Sequence, residues 1–350
     1  MCLLEIKNRR DSEMKRKISV GLIGFGAINQ KVAELVLAKD WQVDFTVRSS
    51  GIYDALGQSK LAELDEIRHY VHSRPDVLIM AIPTKDNGEE ELRHILNAKD
   101  AGVPIALCTK GARANFGHHF EGYLPFVGDA ASVGGGTMVI EYLTRCRSIK
   151  DIQSIDMVLN GTLNFCWHLL STDETLASVL IKAREARIME PTESQSFLEI
   201  VSGEAYSDIP KKISILLKKL GICEEKVRAM DFPKPDFDEK LLYTLMSAAR
   251  LWRFVVTLHR PEVQIEGLGM ASLNFSKKDW SVSYGWQSLL KRPELRVFDR
   301  PGPVGGALIK EGRGDNTAEY LLQGPVAGVL ATSLAMMKDA GRLVSLSNHL

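Results

Sequence analysis

Residues 17–40, KISVGLIGFGAINQKVAELVLAKD, set a short apolar run directly before a glycine-rich turn and a stretch of helical periodicity. Ile18, Val20, Leu22 and Ile23 read as a buried strand, and Val32, Leu35 and Val36 recur at the spacing of one helix face. Gly24-Phe25-Gly26 is left to turn the chain. In such a turn the first glycine permits the tight reversal and the second lets a pyrophosphate approach the backbone. The helix N-terminus then offers free N–H groups and a partial positive charge. Gly24, Gly26, Ala27 and Ile28 are therefore candidate cofactor contacts. Asn29 stands where a third glycine is usual, and the alternative is a tight turn with no ligand.

The following segments repeat the alternation. WQVDFTV (41–47), DVLIMAI (76–82) and GVPIALC (102–108) read as strands, the last preceded by the helical EEELRHILNAKDAG. Strands alternating with helices at this spacing predict an α/β fold with a Rossmann-type, doubly wound parallel sheet. The second strand ends in Arg48-Ser49-Ser50-Gly51 rather than in the acidic residue that holds the ribose of NAD. A guanidinium suits a 2′-phosphate, so NADP is favoured over NAD; the plainer alternative is an Arg48 that stacks or is solvated. Ile82-Pro83-Thr84 and Thr109-Lys110-Gly111 close the third and fourth strands, at the edge where such sheets bind ligands.

Beyond residue 146 the pattern changes. IQSIDMVLNGT, WSVSYGW and RVFDRPG suggest strands, whereas TLASVLIKAREAR and PKKISILLKKLG suggest helices, so a second, α+β domain is expected. The expected division is a charged tail over 1–16, a dinucleotide-binding domain over 17–145 and a substrate and dimerisation domain over 146–315. A C-terminal helix over 316–350 would return to the first domain. The 44 basic residues balance 44 acidic ones, so no net field favours nucleic acid or an anionic membrane. Five widely spaced cysteines with no C-x-x-C pair argue against a disulfide framework or structural zinc. No apolar run is long enough to span a bilayer and no signal peptide is evident, which makes the cytoplasm the expected location.

Later motifs add chemistry: Ala131-Ser132-Val133-Gly134-Gly135-Gly136-Thr137, Asn160-Gly161-Thr162-Leu163-Asn164-Phe165, Glu190-Pro191, Asp208-Ile209-Pro210-Lys211-Lys212, and a late Gly324, Ala327, Gly328, Thr332. In this order, together with the IALCTK strand ending at Lys110, they resemble homoserine dehydrogenase of the short type without a regulatory domain. The resemblance runs with gaps from about residue 17 to 345 and is weak between 225 and 310. Thr109 replaces the family's asparagine, Arg187 and Tyr206 replace glycines, and Val326 replaces another.

The resemblance implies reversible, NAD(P)-dependent conversion of L-homoserine to L-aspartate 4-semialdehyde, a step of threonine and methionine biosynthesis, by a homodimer. It implies Lys212 as proton shuttle, Lys110 as a partner that polarises the oxygen or anchors the cofactor, and Asp208 as the residue that orients Lys212 or binds the substrate ammonium, with Glu190 the second candidate for that ammonium. Glu190, Asp208, Thr162 and Asn160 become candidate substrate contacts; Arg48, Thr84, Lys110 and Gly324 join the cofactor candidates. A monovalent cation, sodium or potassium, on the backbone carbonyls of Ala130, Val133, Gly135 and Thr137 is also implied. If the two lysines converge, each is expected to depress the other's pKa. From spacing alone, Asp208 also reads as a plain helix N-cap, Lys212 as a solvated lysine and Asn160-Gly161 as a hairpin turn. Two rival functions stand beside this one: another amino-acid dehydrogenase such as aspartate dehydrogenase, and a homologue that binds nucleotide without catalysis.

Overall fold

The computed structural model describes residues 16–73, 75–145, 150–186, 188, 196–313 and 316–347. The first sheet contains β1 (Ser19–Ile23), β2 (Gln42–Arg48), β3 (Gly51–Tyr53), β4 (Lys60–Ala62), β5 (Val77–Met80), β6 (Ile105–Leu107) and β7 (Val127–Gly128), in the order β4-β3-β2-β1-β5-β6-β7. From β2 to β7 every pairing is parallel, which bears out the doubly wound α/β fold. β3 and β4 pair antiparallel at one edge, an addition the sequence reading missed because each is only three residues long. The connecting helices are α1 (Ala27–Ala38), α2 (Ile67–His72), α3 (Glu89–Ala101) and α4 (Gly111–Asn115), followed by α5 (Val139–Arg145).

The second sheet contains β8 (Ile152–Val158), β9 (Trp252–His259), β10 (Leu268–Phe275), β11 (Trp280–Ser288), β12 (Val304–Arg313) and β13 (Asn316–Pro325), in the order β10-β11-β9-β8-β12-β13, with antiparallel pairing throughout. Alternate residues such as Val282, Tyr284 and Trp286 point to one face. There they meet Leu163 and Trp167 of α6 (Gly161–Ser171), Val179 of α7 (Leu176–Glu185) and Val201 of α8 (Phe197–Gly203). Ile213 and Leu216 of α9 (Ile209–Lys219) and Leu245 of α10 (Glu239–Ser247) complete the same core. The stretch 225–310, in which no family motif is recognisable, supplies β9, β10 and β11, so its role is to build the sheet behind the site.

Two sequence expectations fail here. RVFDRPG is not a strand: Pro293 opens a 3₁₀ turn through Phe298, and Leu295 and Phe298, three apart, share its buried side. The terminal helix does not begin at 316, because that stretch is β13, hydrogen-bonded to β12 along its whole length. α11 (Val329–Ser347) follows and crosses to the first sheet, where Met336, Met337, Ala340 and Leu343 pack with Val20, Leu22, Val32, Val36 and Ile79. α11 thus completes the apolar core around β1. No helix among the described residues is long and apolar enough to cross a membrane.

Candidate active site

The turn after β1 has the geometry an anion needs. Gly24 holds a φ of +84°, and a Cβ there would strike the Ala81 carbonyl oxygen, so glycine is required. Gly26 is the N-cap of α1, no acidic side chain stands in that helix's first turn, and a Cβ at Gly26 would meet nothing within 4 Å. The helix N-terminus is therefore open and unopposed. Asn29, the departure from the glycine fingerprint, is fully buried, and its Nδ2 donates to the carbonyls of Ile23 and Gly24 at 2.9 and 2.8 Å. It ties strand to helix where a glycine would only let them approach. At the end of β2, the Arg48 guanidinium lies 5.0 Å from the Phe25 ring and 4.9 Å from the Tyr53 ring. It stacks, as the plainer alternative held, yet its buried Nε has no hydrogen-bond partner.

A cavity of about 520 Å³ opens between the carboxyl edge of the first sheet and the second sheet's helices. Ile28, Thr84, Thr109 and Lys110 line one wall; Asn160, Thr162, Asp208 and Lys212 line the other. α8 does not end before α9: the residues between them, Glu204–Asp208, form one π-helical turn, and Asp208 makes no cap hydrogen bond. The N-cap reading of Asp208 is thereby overturned, because its carboxylate turns into the cavity instead. There Oδ1 lies 3.2 Å from Lys110 Nζ and Oδ2 lies 2.7 Å from Lys212 Nζ. Asn160 Nδ2 donates to Oδ2 at 3.0 Å. Lys212, 7% exposed, also donates to the Leu159 carbonyl at 2.8 Å, so it is no solvated surface lysine. Asn160 does not open a hairpin: its Oδ1 accepts from Leu163 N at 2.8 Å and caps α6.

The two lysines do converge, but Asp208 sits between them, and the expected mutual depression fails for Lys110. The Asp208 charge raises the Lys110 pKa above the ordinary lysine range, against the opposing effect of burial. Burial pushes the Asp208 carboxyl up, but Lys212 and Lys110 outweigh it and hold it well below the usual carboxylate range.

The sequence reading missed Glu204, which also lines the cavity and whose Oε2 accepts from Asn160 Nδ2. Burial, and then the neighbouring Asp208 charge, push its pKa up. A signal was present: Glu204, Asp208 and Lys212 recur every four residues, a charged stripe along one face of a largely apolar helical run.

α9 carries Lys212 near one end and grips the first sheet's side with the other. Lys218 Nζ donates to the Arg113 and Ala114 carbonyls at 3.2 and 2.8 Å, and Ser214 Oγ to that of Ala114 at 3.0 Å. Lys219 pairs with Asp129 at 2.8 Å. Arg113, 2% exposed, bonds Asp129 at 3.1 Å and reaches Glu225 with both terminal nitrogens. Because α4 begins immediately after Lys110, this buried network sets the spacing of the two lysines. Arg113→Met takes both guanidinium donors from Glu225 and leaves Asp129 with Lys219, and is expected to cost about 3 kcal/mol of stability, read by chemical denaturation.

Other candidates fall elsewhere. Thr84 lines the cavity, but its hydroxyl donates to the buried Glu91. Gly324, on β13, pairs with Gly305 of β12 and faces Gly136 and Thr137 rather than the cavity. Glu190 and Arg187 lie outside the described residues. The segment carrying Ala130, Val133, Gly135 and Thr137 turns sharply, with positive φ at Gly134 and Gly135, and its Thr137 hydroxyl donates to the Gly134 carbonyl at 2.8 Å.

Fold and cavity together define a two-domain α/β architecture in which a cavity reaching Ile28 of α1 holds a buried lysine–carboxylate cluster. It is the fold of the homoserine dehydrogenases. The enzyme of that name from Thermoplasma acidophilum superposes with a TM-score of 0.70 at 16% identity, over 94% of this chain and 99% of that one. A hyperthermophilic archaeal homoserine dehydrogenase in complex with NADPH gives 0.64 at 19% identity, over 95% and 98%. One from Thiobacillus denitrificans gives 0.65 at 16%, over 95% of this chain and 74% of the other. The sequence matches no family model and no curated protein.

Proposed function

We propose that this chain is an NAD(P)-dependent dehydrogenase that interconverts L-homoserine and L-aspartate 4-semialdehyde. The observation that carries the reading is the meeting of Lys110, Lys212 and Asp208 in one cavity whose lining reaches Ile28, in the first turn of α1 after the glycine turn. The open N-terminus of α1 suits a pyrophosphate, and the unpartnered Nε of Arg48 suits the 2′-phosphate of NADP. When bound, the nicotinamide exchanges hydride with the carbon that carries the oxygen.

The chain's own residues handle the proton and the charge. An ammonium has three N–H donors; Asp208 and the Leu159 carbonyl take two from Lys212 and leave one for the substrate oxygen. In the reducing direction Lys212 Nζ gives its proton to the aldehyde oxygen, and in the oxidising direction it takes the hydroxyl proton back. Lys110, kept cationic by Asp208, stabilises negative charge developing on that oxygen. Asp208 holds both ammonium groups in place. Thr162 and Asn160, on the opposite wall, shape the substrate end.

The reading extends to finer points. Residues 17–145 would hold the nucleotide and 146–315 the substrate and the contacts of a homodimer, in a cytoplasmic enzyme of amino-acid biosynthesis. The carbonyls of Ala130, Val133, Gly135 and Thr137 would hold sodium or potassium, which stimulation of turnover by those salts at constant ionic strength would test. Gel filtration tests the dimer.

Assays with homoserine and with aspartate, each with both nicotinamides and followed at the absorbance of the reduced cofactor, decide between the candidate dehydrogenases. Turnover of homoserine is expected. Turnover of aspartate alone, or tight nucleotide binding without turnover, would overturn the reading. Arg48→Ala is expected to raise the KM for NADPH on the order of 10- to 100-fold, the loss of one charge-assisted contact, and to leave that for NADH nearly unchanged.

A further inference from the structure

We propose that Glu91 is a positioning residue that holds Lys110 in the cavity by capping α4 from a neighbouring helix, an inference that rests on the dehydrogenase reading above. Three glutamates open α3, where acidic residues complement the positive helix end. That role needs no burial. Glu89 is exposed and Glu90 half-buried, yet Glu91 is 1% exposed. Both of its oxygens are in use. Oε1 accepts from the Thr84 hydroxyl, and Oε2 accepts from the Ala112 N–H at 2.9 Å.

Ala112 is the second residue of α4, and Lys110 is that helix's cap residue. A cap residue ordinarily turns its own side-chain oxygen back to accept an N–H of the first turn. Lysine carries no acceptor, and the Lys110 side chain makes no cap bond. Glu91 supplies the acceptor instead. A cation can therefore occupy the cap position and reach Asp208, 3.2 Å from its Nζ, without leaving that helix start unsatisfied.

The reach of Glu91 is set by close packing of two helix starts. Gly88, the cap of α3, has a φ of +104°, and a Cβ there would fall 2.2 Å from Ala112 N. Asn115 Nδ2 donates to the Asn87 carbonyl at 2.9 Å and locks the same approach. Thr84 and Lys110 line the cavity, whereas Glu91 is not among the lining residues. It stands behind the wall and acts through Lys110.

The test is a double-mutant cycle on single-turnover hydride transfer with homoserine and NADP. Glu91→Ala should slow the transfer on the order of 10- to 100-fold, the scale of a misplaced catalytic group. Glu91→Gln keeps an oxygen for Ala112 and should restore most of the rate. In a Lys110→Ala background the Glu91→Ala change should cost less than about 2-fold, because the group it positions is gone. Its effect on Tm should be the same in both backgrounds. Equal rate losses in both would make Glu91 a support of the fold alone and overturn the assignment, as would a wild-type rate in Glu91→Ala. Wild type inactive on homoserine would overturn the dehydrogenase reading itself, and this inference with it. Should the alanine variant not fold, Glu91→Asp decides, since its carboxylate stops one methylene short of Ala112. A rate loss that Lys110→Ala abolishes supports the assignment, and one that persists rejects it.

Discussion

Lys212→Ala is expected to reduce kcat by roughly 10²–10⁴-fold, the usual contribution of a positioned acid–base group, with NADPH affinity nearly unchanged. The side chain is buried among Asp208, the Leu159 carbonyl and the cavity, and it sits on α9, across the cavity from Ile28 of α1. Removing it leaves Asp208 with Lys110 and Asn160, so the carboxylate is not stranded and the fold should survive. Lys212→Arg should not rescue the rate: a guanidinium does not exchange its proton near neutral pH, and its planar fork does not fit the Leu159–Asp208 pair. Single-turnover hydride transfer and fluorescence titration with NADPH separate the two effects. Turnover like that of wild type would remove Lys212 from the chemistry.

Gly26→Glu should do the reverse, abolishing measurable nucleotide binding while leaving the fold intact. Gly26 has an ordinary φ of −79°, and its Cβ position is open, so the added side chain meets no protein atom. What it meets is the place where a pyrophosphate would lie, and its carboxylate cancels the positive helix end that attracts the anion. Gly24→Ala provides the contrast. Its φ of +84° and the nearby Ala81 carbonyl make that change a folding defect, visible as a lowered Tm. Full NADPH affinity in a folded Gly26→Glu variant would show that the nucleotide is held elsewhere.

The first half was readable because its signals are local: a strand, a turn and a helix adjacent in sequence specify β1, Gly24, Gly26 and α1 without help from distant residues. Lys110 and Lys212 were found by motif, but their environment was not. What they do depends on Asp208 lying between them, which reverses the expected effect on Lys110, and no spacing rule reports an ion placed across two sheets. The alternative reading of Asp208 as a plain cap fails because a π turn joins α8 to α9, whereas Asp-Ile-Pro in isolation looks like a helix start. The Arg113–Asp129–Lys219–Glu225 network was invisible for the same reason: its members lie up to 112 residues apart. Glu204 is the exception, since its four-residue spacing from Asp208 was in plain view.

The return of α11 to the first sheet has a consequence for how the polypeptide matures. A ribosome releases the strand and glycine turn long before Met336, Met337, Ala340 and Leu343 emerge to cover them. The half built on the first sheet is thus translated well before the helix that closes its core, unlike a module that matures as it leaves the tunnel. A nonsense mutation just before α11 should strip that half of its cover and expose Val20, Leu22 and Val32 to water, making the truncated product a target for chaperones and proteases.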